Sequence, residues 1–363
     1  MELFDMVSQS GHEELLVYSD NSVGLKAFIA IHDTTLGPAC GGTRIWPYDS
    51  EDAALNDVLN LSRAMTYKSS IADISLGGGK AVIIADPQIK KNEAFLRSFG
   101  RFVDTLHGRY LTTADVGTNS DDLIYINQET EHVVGLPVNQ GGSGDTSIMT
   151  GLGVYMGMKA CAQASWGSDS LEGKTIAMQG FGKVAYNTSV LLLKENARIV
   201  ATDISSDAVN KAEKLGIRIV STEEIYGVDC DIFSPNALGG VLNTNTIDLL
   251  NCEIIAGGAN NQLSNEAIAE DLYKKKILYA PDYVINAGGI INVSCEIGSP
   301  YSAERSREKT EKIYDIMTDI INVSNKEEIT TSKAADLNLT MSPDFICYLE
   351  DDSTVTHTLE LLE

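Results

Sequence analysis

The sequence predicts an α/β fold made of two domains, and three observations support this prediction. The chain has 363 residues, whereas a single hydrophobic core stops growing at roughly 250–300 residues. Its 43% of hydrophobic residues and its 31 glycines against 8 prolines are typical of a globular protein. Regular alternation of strands and helices begins near residue 170 and predicts a parallel sheet covered on both faces. The linker-like stretch 139–144 (NQGGSG) therefore marks the predicted boundary.

Charge and cysteine content exclude several classes of protein. A formal charge of −24 argues against binding of nucleic acid or of an anionic membrane surface, both of which require clustered lysine and arginine. The first ten residues lack a basic and apolar export signal, and no apolar run is long enough for a membrane span. The six cysteines show no metal-ligand spacing, so we expect no metal and free thiols in a cytoplasmic protein. They are Cys40, Cys161, Cys230, Cys252, Cys295 and Cys347.

The first domain begins with a strand, a loop and a helix. Residues 24–32 (GLKAFIAIH) are rich in apolar and β-favouring types and predict a buried strand. The glycines and the proline of 37–42 predict a loop, which could form the wall of a site. Ser50 is a suitable N-cap, and apolar residues then recur at helical spacing, so a helix is predicted over about 51–68.

Two lysines of this domain are candidates for chemistry. Met65 and Lys68 share one face at the end of the predicted helix, since they stand three residues apart. The glycine run 77–79 leads into Lys80 and a strand at 81–85, and such a run suggests that the backbone closely approaches a ligand. Two ammonium groups in one cleft would lower each other's pKa, so that one lysine could act as a base while the other holds a carboxylate. For any lysine taken alone, a solvated surface position is the usual state.

The second domain shows the regular pattern on which its fold is predicted. Strands are expected at 175–179, 198–203, 217–220, 231–233, 254–256 and 277–280, with helices ending near Glu195 and Gly216. A helical tract over about 302–324 is expected to leave the second domain and return the chain to the first.

A glycine turn after the first of these strands predicts a nucleotide site. Gly180, Gly182 and Ala185 form G-x-G-x-x-A between a strand and a helix, as in the Rossmann fingerprint, where phosphates meet the helix N-terminus. Asp203 ends the next strand after 203 − 180 = 23 residues, close to the spacing of about 20 expected of an acid that binds the ribose. The alternative is that Asp203 only caps the following helix. A carboxylate repels a 2′-phosphate and no arginine follows it, so NAD is predicted rather than NADP, although Lys183 could assist phosphate binding in either case.

Eight motifs occur together in the order of a known family. They are IHDTTLGPACGGTR (31–44), MTYK (65–68), GGGK (77–80), ADVGT (114–118), QGFGKVA (179–185), ALGG (237–240), NNQL (260–263) and APDYVINAGG (280–289). With them the chain resembles the glutamate, leucine, phenylalanine and valine dehydrogenases, most closely the leucine dehydrogenase branch. The resemblance implies an N-terminal α/β substrate domain and a Rossmann-type NAD domain, separated by a cleft that closes about a hinge.

The resemblance also implies a role for individual residues. Lys68 would bind the substrate carboxylate, with Met65 and the backbone of Gly41 and Gly42 beside it. Lys80 would be the general base that activates water, with Asp115 as its partner in proton transfer. Thr150 and Asn261 would contact the nicotinamide and the substrate. The full set expected to bind the cofactor is Gly180, Phe181, Gly182, Lys183, Val184, Asp203, Ile204, Thr150, Ala237 and Asn260.

The substrate pocket implied by the resemblance is small and aliphatic. It consists of Cys40, Thr113, Ile290 and Val293 and suits leucine, valine or isoleucine. A phenylalanine- or tryptophan-preferring enzyme is the alternative, which the volume of Thr113 opposes and the small Cys40 favours. A glutamate-type enzyme would need a polar or basic pocket, and a nucleotide sensor without catalysis would not need the two lysines.

Domain limits and assembly complete the prediction. Residues 1–138, joined by the C-terminal segment 325–363, would form the substrate-binding, catalytic and oligomerisation domain, and 139–324 the NAD-binding domain. A homo-oligomer is expected from the resemblance, although the tail 339–363 departs from the family pattern. Asn236 also stands where the leucine branch usually has cysteine.

Overall fold

A computed structural model describes residues 3–88 and 91–340. These residues form two compact units. The first comprises the chain up to Asp145 together with Val293–Ser302, and the second comprises Thr146–Asn292 together with Ala303–Asn338. The observed boundary thus lies after the predicted limit at 138/139.

The segment after residue 325, which was expected in the first domain, groups with the second unit as far as Asn338. There Lys333 forms a 2.6 Å ion pair with Glu270, and the Thr331 hydroxyl donates to the Tyr279 carbonyl at 2.5 Å. The predicted tail from 341 to 363 lies outside the described residues.

The first unit is built on a mixed five-stranded sheet in the order β1-β2-β4-β3-β5. Its strands are β1 (Glu14–Asp20), β2 (Leu25–Asp33), β3 (Ala39–Trp46), β4 (Gly77–Ile84) and β5 (Tyr110–Ala114). Strand β2 pairs antiparallel with β1 and β4, whereas β3 runs parallel to β4 and β5. The helices of this part of the chain are α1 (Leu3–Gln9), α2 (Glu51–Ile71), α3 (Glu93–Asp104) and α4 (Ser120–Asn127).

Helices cover both faces of this sheet because side chains alternate along its strands. Ile29 and Ile31 of β2 pack into a cluster with Phe95 and Phe99 of α3, and Ala30 packs into another cluster with Val58 of α2. Helix α2 begins as predicted, since the Ser50 hydroxyl accepts a hydrogen bond from the backbone of Ala53.

Two glycine segments differ from the prediction. Gly41 and Gly42 lie inside β3 rather than in a loop, and Gly77–Gly79 begin β4 rather than precede it. A Cβ atom at Gly78 would come within 2.0 Å of the Thr66 hydroxyl on α2, and one at Gly41 within 1.7 Å of the Gly79 carbonyl oxygen. These glycines are therefore required by close packing of the protein's own backbone and side chains.

The second unit contains a six-stranded, fully parallel sheet, which confirms the predicted α/β class. Its strands are β6 (Thr175–Gln179), β7 (Arg198–Thr202), β8 (Arg218–Ile219), β9 (Ile232–Pro235), β10 (Ile254–Ile255) and β11 (Leu278–Tyr279). Their order β8-β7-β6-β9-β10-β11 is that of a Rossmann sheet, in which the strand order reverses beside the first strand, β6.

The helices that follow Asp145 are α5 (Ser147–Trp166), α6 (Lys183–Lys194), α7 (Ser206–Lys214), α8 (Ala267–Lys274), α9 (Asp282–Ile285), α10 (Gly288–Ser294), α11 (Ala303–Glu311), α12 (Ile313–Glu327) and α13 (Thr331–Thr340). Of these helices, α6, α7 and α8 lie between strands of this sheet, whereas α5 precedes the first strand and the others follow the last one. The tract predicted as one helix over 302–324 is thus two helices, and both belong to the second unit. Within the residues that the structure describes, no helix is long and apolar enough to cross a membrane.

Candidate active site

A buried ion pair between Lys80 and Asp115 is the main chemical feature of the first unit. Lys80 lies on β4 and Asp115 directly follows β5, with β3 between these two strands. The Lys80 ammonium nitrogen is 2.8 Å from Asp115 Oδ2, and only 7% of the lysine side chain is exposed. The structure thus places together the two residues that the resemblance pairs in proton transfer.

Arg44 is a third charged residue of this cluster, and the sequence reasoning did not single it out. Its Nε atom lies 3.0 Å from Asp115 Oδ2, so one carboxylate oxygen contacts both cations. Its Nη1 atom lies 2.9 Å from Asp57, which also accepts a hydrogen bond from the Tyr48 hydroxyl. Arg44 ends the motif IHDTTLGPACGGTR, so its position in that motif was the available signal.

The two cations determine the charge of Asp115. Burial alone would raise the pKa of this carboxyl group, but Lys80 and Arg44 outweigh it and hold the pKa well below its usual range. The backbone N–H of Asp115 is also fixed, because it donates at 2.8 Å to the hydroxyl of Thr118. Asp115 is therefore ionised at neutral pH and held in a fixed position.

The end of α2, which carries Met65 and Lys68, is attached to the sheet through Thr66. The fully buried Thr66 hydroxyl lies 2.8 Å from Nδ1 of His32 on β2, and it also occupies the space above Gly78. Met65 and Lys68 are both half-buried. The contact of Thr66 with His32 thus fixes the turn that holds Lys68 relative to the strand that holds Lys80.

His32 and His12 form a buried pair, and the centroids of their two rings lie 4.8 Å apart. Burial, followed by the charges of His12 and Arg63, lowers the pKa of His32 to about 3. Burial also lowers the pKa of His12. Both rings are consequently neutral in the folded protein at neutral pH.

We expect this pair to make the fold sensitive to acid. The unfolded chain takes up protons near pH 6.5, whereas folded His32 stays neutral until about pH 3. The contribution of His32 to stability is therefore complete above about pH 6.5 and decreases by about 1.4 kcal/mol per pH unit below it, down to about pH 3. The free energy of unfolding should fall between about pH 7 and pH 5 in both proteins. This fall should be about 2 kcal/mol smaller in His32→Gln than in the parent, as measured by denaturant titration at each pH. His107→Gln, which removes an exposed histidine, is the control. If the free energy of unfolding depended on pH in the same way in the parent and in His32→Gln, the lowered pKa of His32 would be contradicted.

The predicted pocket residues of the first unit are closely packed. Cys40 is fully buried, and burial followed by the charge of Glu296 raises the pKa of its thiol to about 12, so it is a neutral, small apolar group. Val293 is 1% exposed, and the Thr113 hydroxyl fills the space beside the backbone of Gly135. Ile290, the fourth predicted pocket residue, belongs to the second unit and is 6% exposed.

Glu296 is a further residue that the sequence reasoning missed. Its carboxylate accepts hydrogen bonds from the backbone N–H groups of Gly135 at 2.9 Å and Ser143 at 2.8 Å. Burial is the main cause that raises the pKa of this group. Glu296 thereby connects the segment Val293–Ser302 to the end of the first unit's main segment. No local sequence signal could have revealed this contact between distant parts of the chain.

The glycine turn of the second unit has the geometry of a nucleotide site. Gly180 has φ +94°, and a Cβ atom there would come within 2.7 Å of the backbone nitrogen of Ala237. A Cβ atom at Gly182 would meet nothing within 4 Å, so open space adjoins the N-terminus of α6. No side chain caps that helix end, and Ala185 packs fully buried behind it. The turn thus leaves room for an anionic group at the start of α6.

Both carboxylate oxygens of Asp203 accept backbone hydrogen bonds, and one of them holds this turn. Oδ2 accepts from the backbone N–H of Phe181 at 2.7 Å, and Oδ1 accepts from that of Ser205 at 2.8 Å. The cap of α7 is the hydroxyl of Ser205, which accepts from the backbone of Ala208. Capping of α7 therefore does not explain the presence of Asp203.

The remaining predicted cofactor residues lie in the second unit. Ile204, which follows Asp203, is 95% exposed, and Val184 packs beside Gly258. Thr150, in the first turn of α5, donates to the carbonyl of Thr146, and its hydroxyl would be 2.9 Å from a Cβ atom at Gly289.

The NNQL segment and Asn236 are held by hydrogen bonds within the same unit. Asn260 accepts from the side chain of Asn286 at 2.9 Å, and Asn261 has φ +52° and accepts from the Gly240 backbone at 2.7 Å. Asn236, which replaces the cysteine of the leucine branch, accepts from the backbone of Gly258 at 2.9 Å.

The chain combines a Rossmann unit, which has an open glycine turn, with a unit that carries a buried Lys-Asp-Arg cluster. This combination defines an enzyme of the nucleotide-binding type. Comparison with known proteins defines the family. Residues 14–132 match the dimerisation domain of the Glu/Leu/Phe/Val dehydrogenases, and residues 141–219 and 204–340 match the Glutamate/Leucine/Phenylalanine/Valine dehydrogenase domain. The chain belongs to this family and is an amino-acid dehydrogenase.

Relatives with different substrates are similarly close. Leucine dehydrogenase of Geobacillus stearothermophilus is 50% identical over 93% of this chain and 92% of its own length. Phenylalanine dehydrogenase of Lysinibacillus sphaericus is 48% identical over 90% of this chain and 87% of its own. The crystal structure of L-tryptophan dehydrogenase from Nostoc punctiforme is 45% identical, with a TM-score of 0.78, over 93% of this chain and 97% of that chain. Overall identity therefore does not distinguish the substrate, and the pocket residues must.

Proposed function

We propose that this dehydrogenase catalyses the reversible, NAD-dependent oxidative deamination of an apolar L-amino acid of the leucine, valine or isoleucine type. The products would be the 2-oxo acid and ammonia. The observation that carries the proposal is the buried 2.8 Å ion pair between Lys80 and Asp115. This reaction needs a group that moves a proton at a site protected from bulk water, and few lysines are buried at 5% exposure for structural reasons alone.

Lys68 is proposed to hold the substrate carboxylate. It lies in the last turn of α2, where Thr66 fixes the helix against β2 and β4. A cation attached to a rigid helix positions the carboxylate at low entropic cost. The backbone of Gly41 and Gly42 on β3 would complete this part of the site, as the family resemblance implies.

Lys80 is proposed to move the proton, and Asp115 to stabilise the charged form of that lysine. When bound, NAD would accept the hydride from the substrate Cα, which leaves an iminium on the substrate. Lys80 would first give its own proton to solvent, and its amine would then take a proton from the water that attacks the iminium carbon. Asp115, which stays ionised, would stabilise the resulting ammonium, and Arg44 would hold Asp115 in place.

The pocket residues support an aliphatic substrate. Cys40 is a neutral thiol and Val293 is aliphatic, and neither offers a charge for a second carboxylate, which argues against glutamate. Thr113 is packed against Gly135 and cannot withdraw easily to admit a large ring. A phenylalanine- or tryptophan-preferring enzyme is the alternative, and the small size of the Cys40 side chain favours it.

Comparison of kcat/KM across L-amino acids tests the substrate class. We expect leucine, valine and isoleucine to exceed phenylalanine and tryptophan by about 10-fold or more, because a mismatch of one or more carbon groups in an apolar pocket costs about 1–3 kcal/mol. Thr113→Gly should reduce this ratio by making room for a ring, and Thr222→Gly, at an exposed threonine of the second unit, is the control. A higher kcat/KM for phenylalanine or tryptophan in the parent would establish the alternative.

The second unit fits NAD. The open space at Gly182 and the uncapped N-terminus of α6 suit a pyrophosphate, and Asp203 would accept the ribose hydroxyl groups. Ile204 and Leu238 are 95% and 79% exposed, and they follow β7 and β9 on either side of the glycine turn. These apolar side chains are suited to pack against the planar adenine, and the main chain of Ala237 is suited to contact the ribose and phosphate groups of the cofactor.

Cofactor preference is the second test of the proposed function. A 2′-phosphate would meet the carboxylate of Asp203, so kcat/KM with NAD should exceed that with NADP, and Asp203→Asn should reduce the ratio. Asp207→Asn, which removes an acid in the first turn of α7, is the matched control. A parent enzyme that prefers NADP would refute the role assigned to Asp203.

The expected partners are small molecules and further copies of the chain. The family's name for residues 14–132, a dimerisation domain, supports a homo-oligomer. The absence of paired cysteine spacing in the sequence supports action in the cytoplasm, where thiols stay reduced.

A further inference from the structure

Two cysteines face each other at the start of neighbouring strands in the Rossmann unit. Asp229 pairs with Asn251 and Ile232 pairs with Ile254, both in parallel register, so Cys230 lies opposite Cys252. The backbone N–H of Cys230 donates to the Asn251 carbonyl at 3.1 Å, which holds the two segments together. Adjacent strands lie about 4.8 Å apart, within the Cα separation of about 4.4–6.8 Å that a disulfide spans.

The two side chains share one environment. Both are partly buried and pack against the same hydrophobic cluster, which contains Phe233 and Leu272. The Cys252 side chain, followed by burial, raises the pKa of the Cys230 thiol above its ordinary value, as expected of thiols in direct contact. Both cysteines are also partly exposed, so a small oxidant can reach them.

We propose that Cys230 and Cys252 form a reversible intramolecular disulfide, with a low-molecular-weight disulfide as the oxidant. One protein thiolate attacks the sulfur–sulfur bond of the oxidant, which gives a mixed disulfide and releases one small thiol. The second protein thiolate attacks the protein sulfur of that mixed disulfide and releases the second small thiol. The two protein thiols lose two electrons and two protons, and the oxidant takes up both.

Other described cysteines lack this combination of contact and access. Cys40, Cys161 and Cys295 are buried, with at most 2% exposed. The proposed pair lies at the amino ends of β9 and β10, whereas the glycine turn follows the carboxyl end of β6. In a parallel sheet these are opposite edges. The proposal therefore does not depend on the proposed function.

Peptide mapping of the full-length protein tests the proposal. The reduced protein is incubated with oxidised glutathione at mildly alkaline pH, where thiolates are more abundant, and is then alkylated and digested without reductant. We expect a peptide pair linked through Cys230 and Cys252, loss of alkylation at both residues, and recovery of both on addition of dithiothreitol. The map separates this pair from Cys347, which lies outside the described residues.

Single variants identify the intermediate. Cys230→Ser and Cys252→Ser should each accumulate glutathione on the remaining cysteine, because the second attack cannot occur, and Cys161→Ser should form the linked peptide as the parent does. Full alkylation of both cysteines after oxidation, or glutathione adducts without the linked peptide in the parent, would overturn the proposal.

Discussion

Replacing Lys80 by alanine should lower kcat by about 10³-fold or more while NAD still binds. General-base catalysis contributes about 10²–10⁴-fold, and the buried ammonium beside Asp115 has no neighbour on β4 that could replace it. The nucleotide turn belongs to the other unit and contains none of the substituted atoms. Steady-state kinetics with L-leucine and a separate titration of NAD measure the two effects independently.

A matched control distinguishes loss of chemistry from loss of a buried cation. Lys159 forms a 2.9 Å ion pair with Glu195, and its side chain is 14% exposed, so Lys159→Ala removes a comparable pair far from the glycine turn along α6. We expect Lys159→Ala to reduce stability and to retain kcat within a few-fold of the parent. If Lys80→Ala kept a substantial fraction of the parental kcat, Lys80 would not be the base.

Asp115→Asn should impair both stability and turnover. The substitution keeps the shape of the side chain but leaves Lys80 and Arg44 without their shared carboxylate. Removal of one member of a buried ion pair costs about 3–5 kcal/mol, and the lower end applies here because Arg44 keeps Asp57. We expect about 3 kcal/mol less unfolding free energy and a kcat reduced by about 10²-fold or more.

Asp57→Asn is the control for this variant. It removes the other carboxylate of Arg44 and leaves the contact between Lys80 and Asp115 in place. Its stability should also decrease, but its kcat should decrease much less than that of Asp115→Asn. Equal losses of kcat in the two variants would mean that Asp115 acts only by holding Arg44.

The nucleotide-binding unit could be predicted from sequence because its signals are local. The strand before Gly180, the open position at Gly182 and the acid at the end of the next strand all lie within about one βαβ unit. The observed parallel sheet and the contact of Asp203 with the Phe181 backbone follow that pattern. The end of the domain was harder to predict, since grouping of residues up to Asn338 depends on tertiary contacts such as that of Lys333 with Glu270.

The first unit shows where sequence reasoning stops. Strand propensity disfavours glycine, so the sequence predicts a loop at Gly41 and a lead-in at 77–79, whereas close packing of α2 and β3 places these glycines in strands. The family resemblance predicts that Lys80 and Asp115 act together. It did not show that Arg44 shares the same carboxylate oxygen, or that Glu296 connects to Gly135, because both depend on the folded arrangement of distant segments.

The most direct test of the proposed reaction is the stoichiometry of products formed from L-leucine and NAD at alkaline pH, where release of a proton favours deamination. We predict that NADH, ammonia and the corresponding 2-oxo acid form in equal amounts in the parent enzyme. Absence of NADH with leucine and with every other L-amino acid of the panel would contradict the proposed reaction.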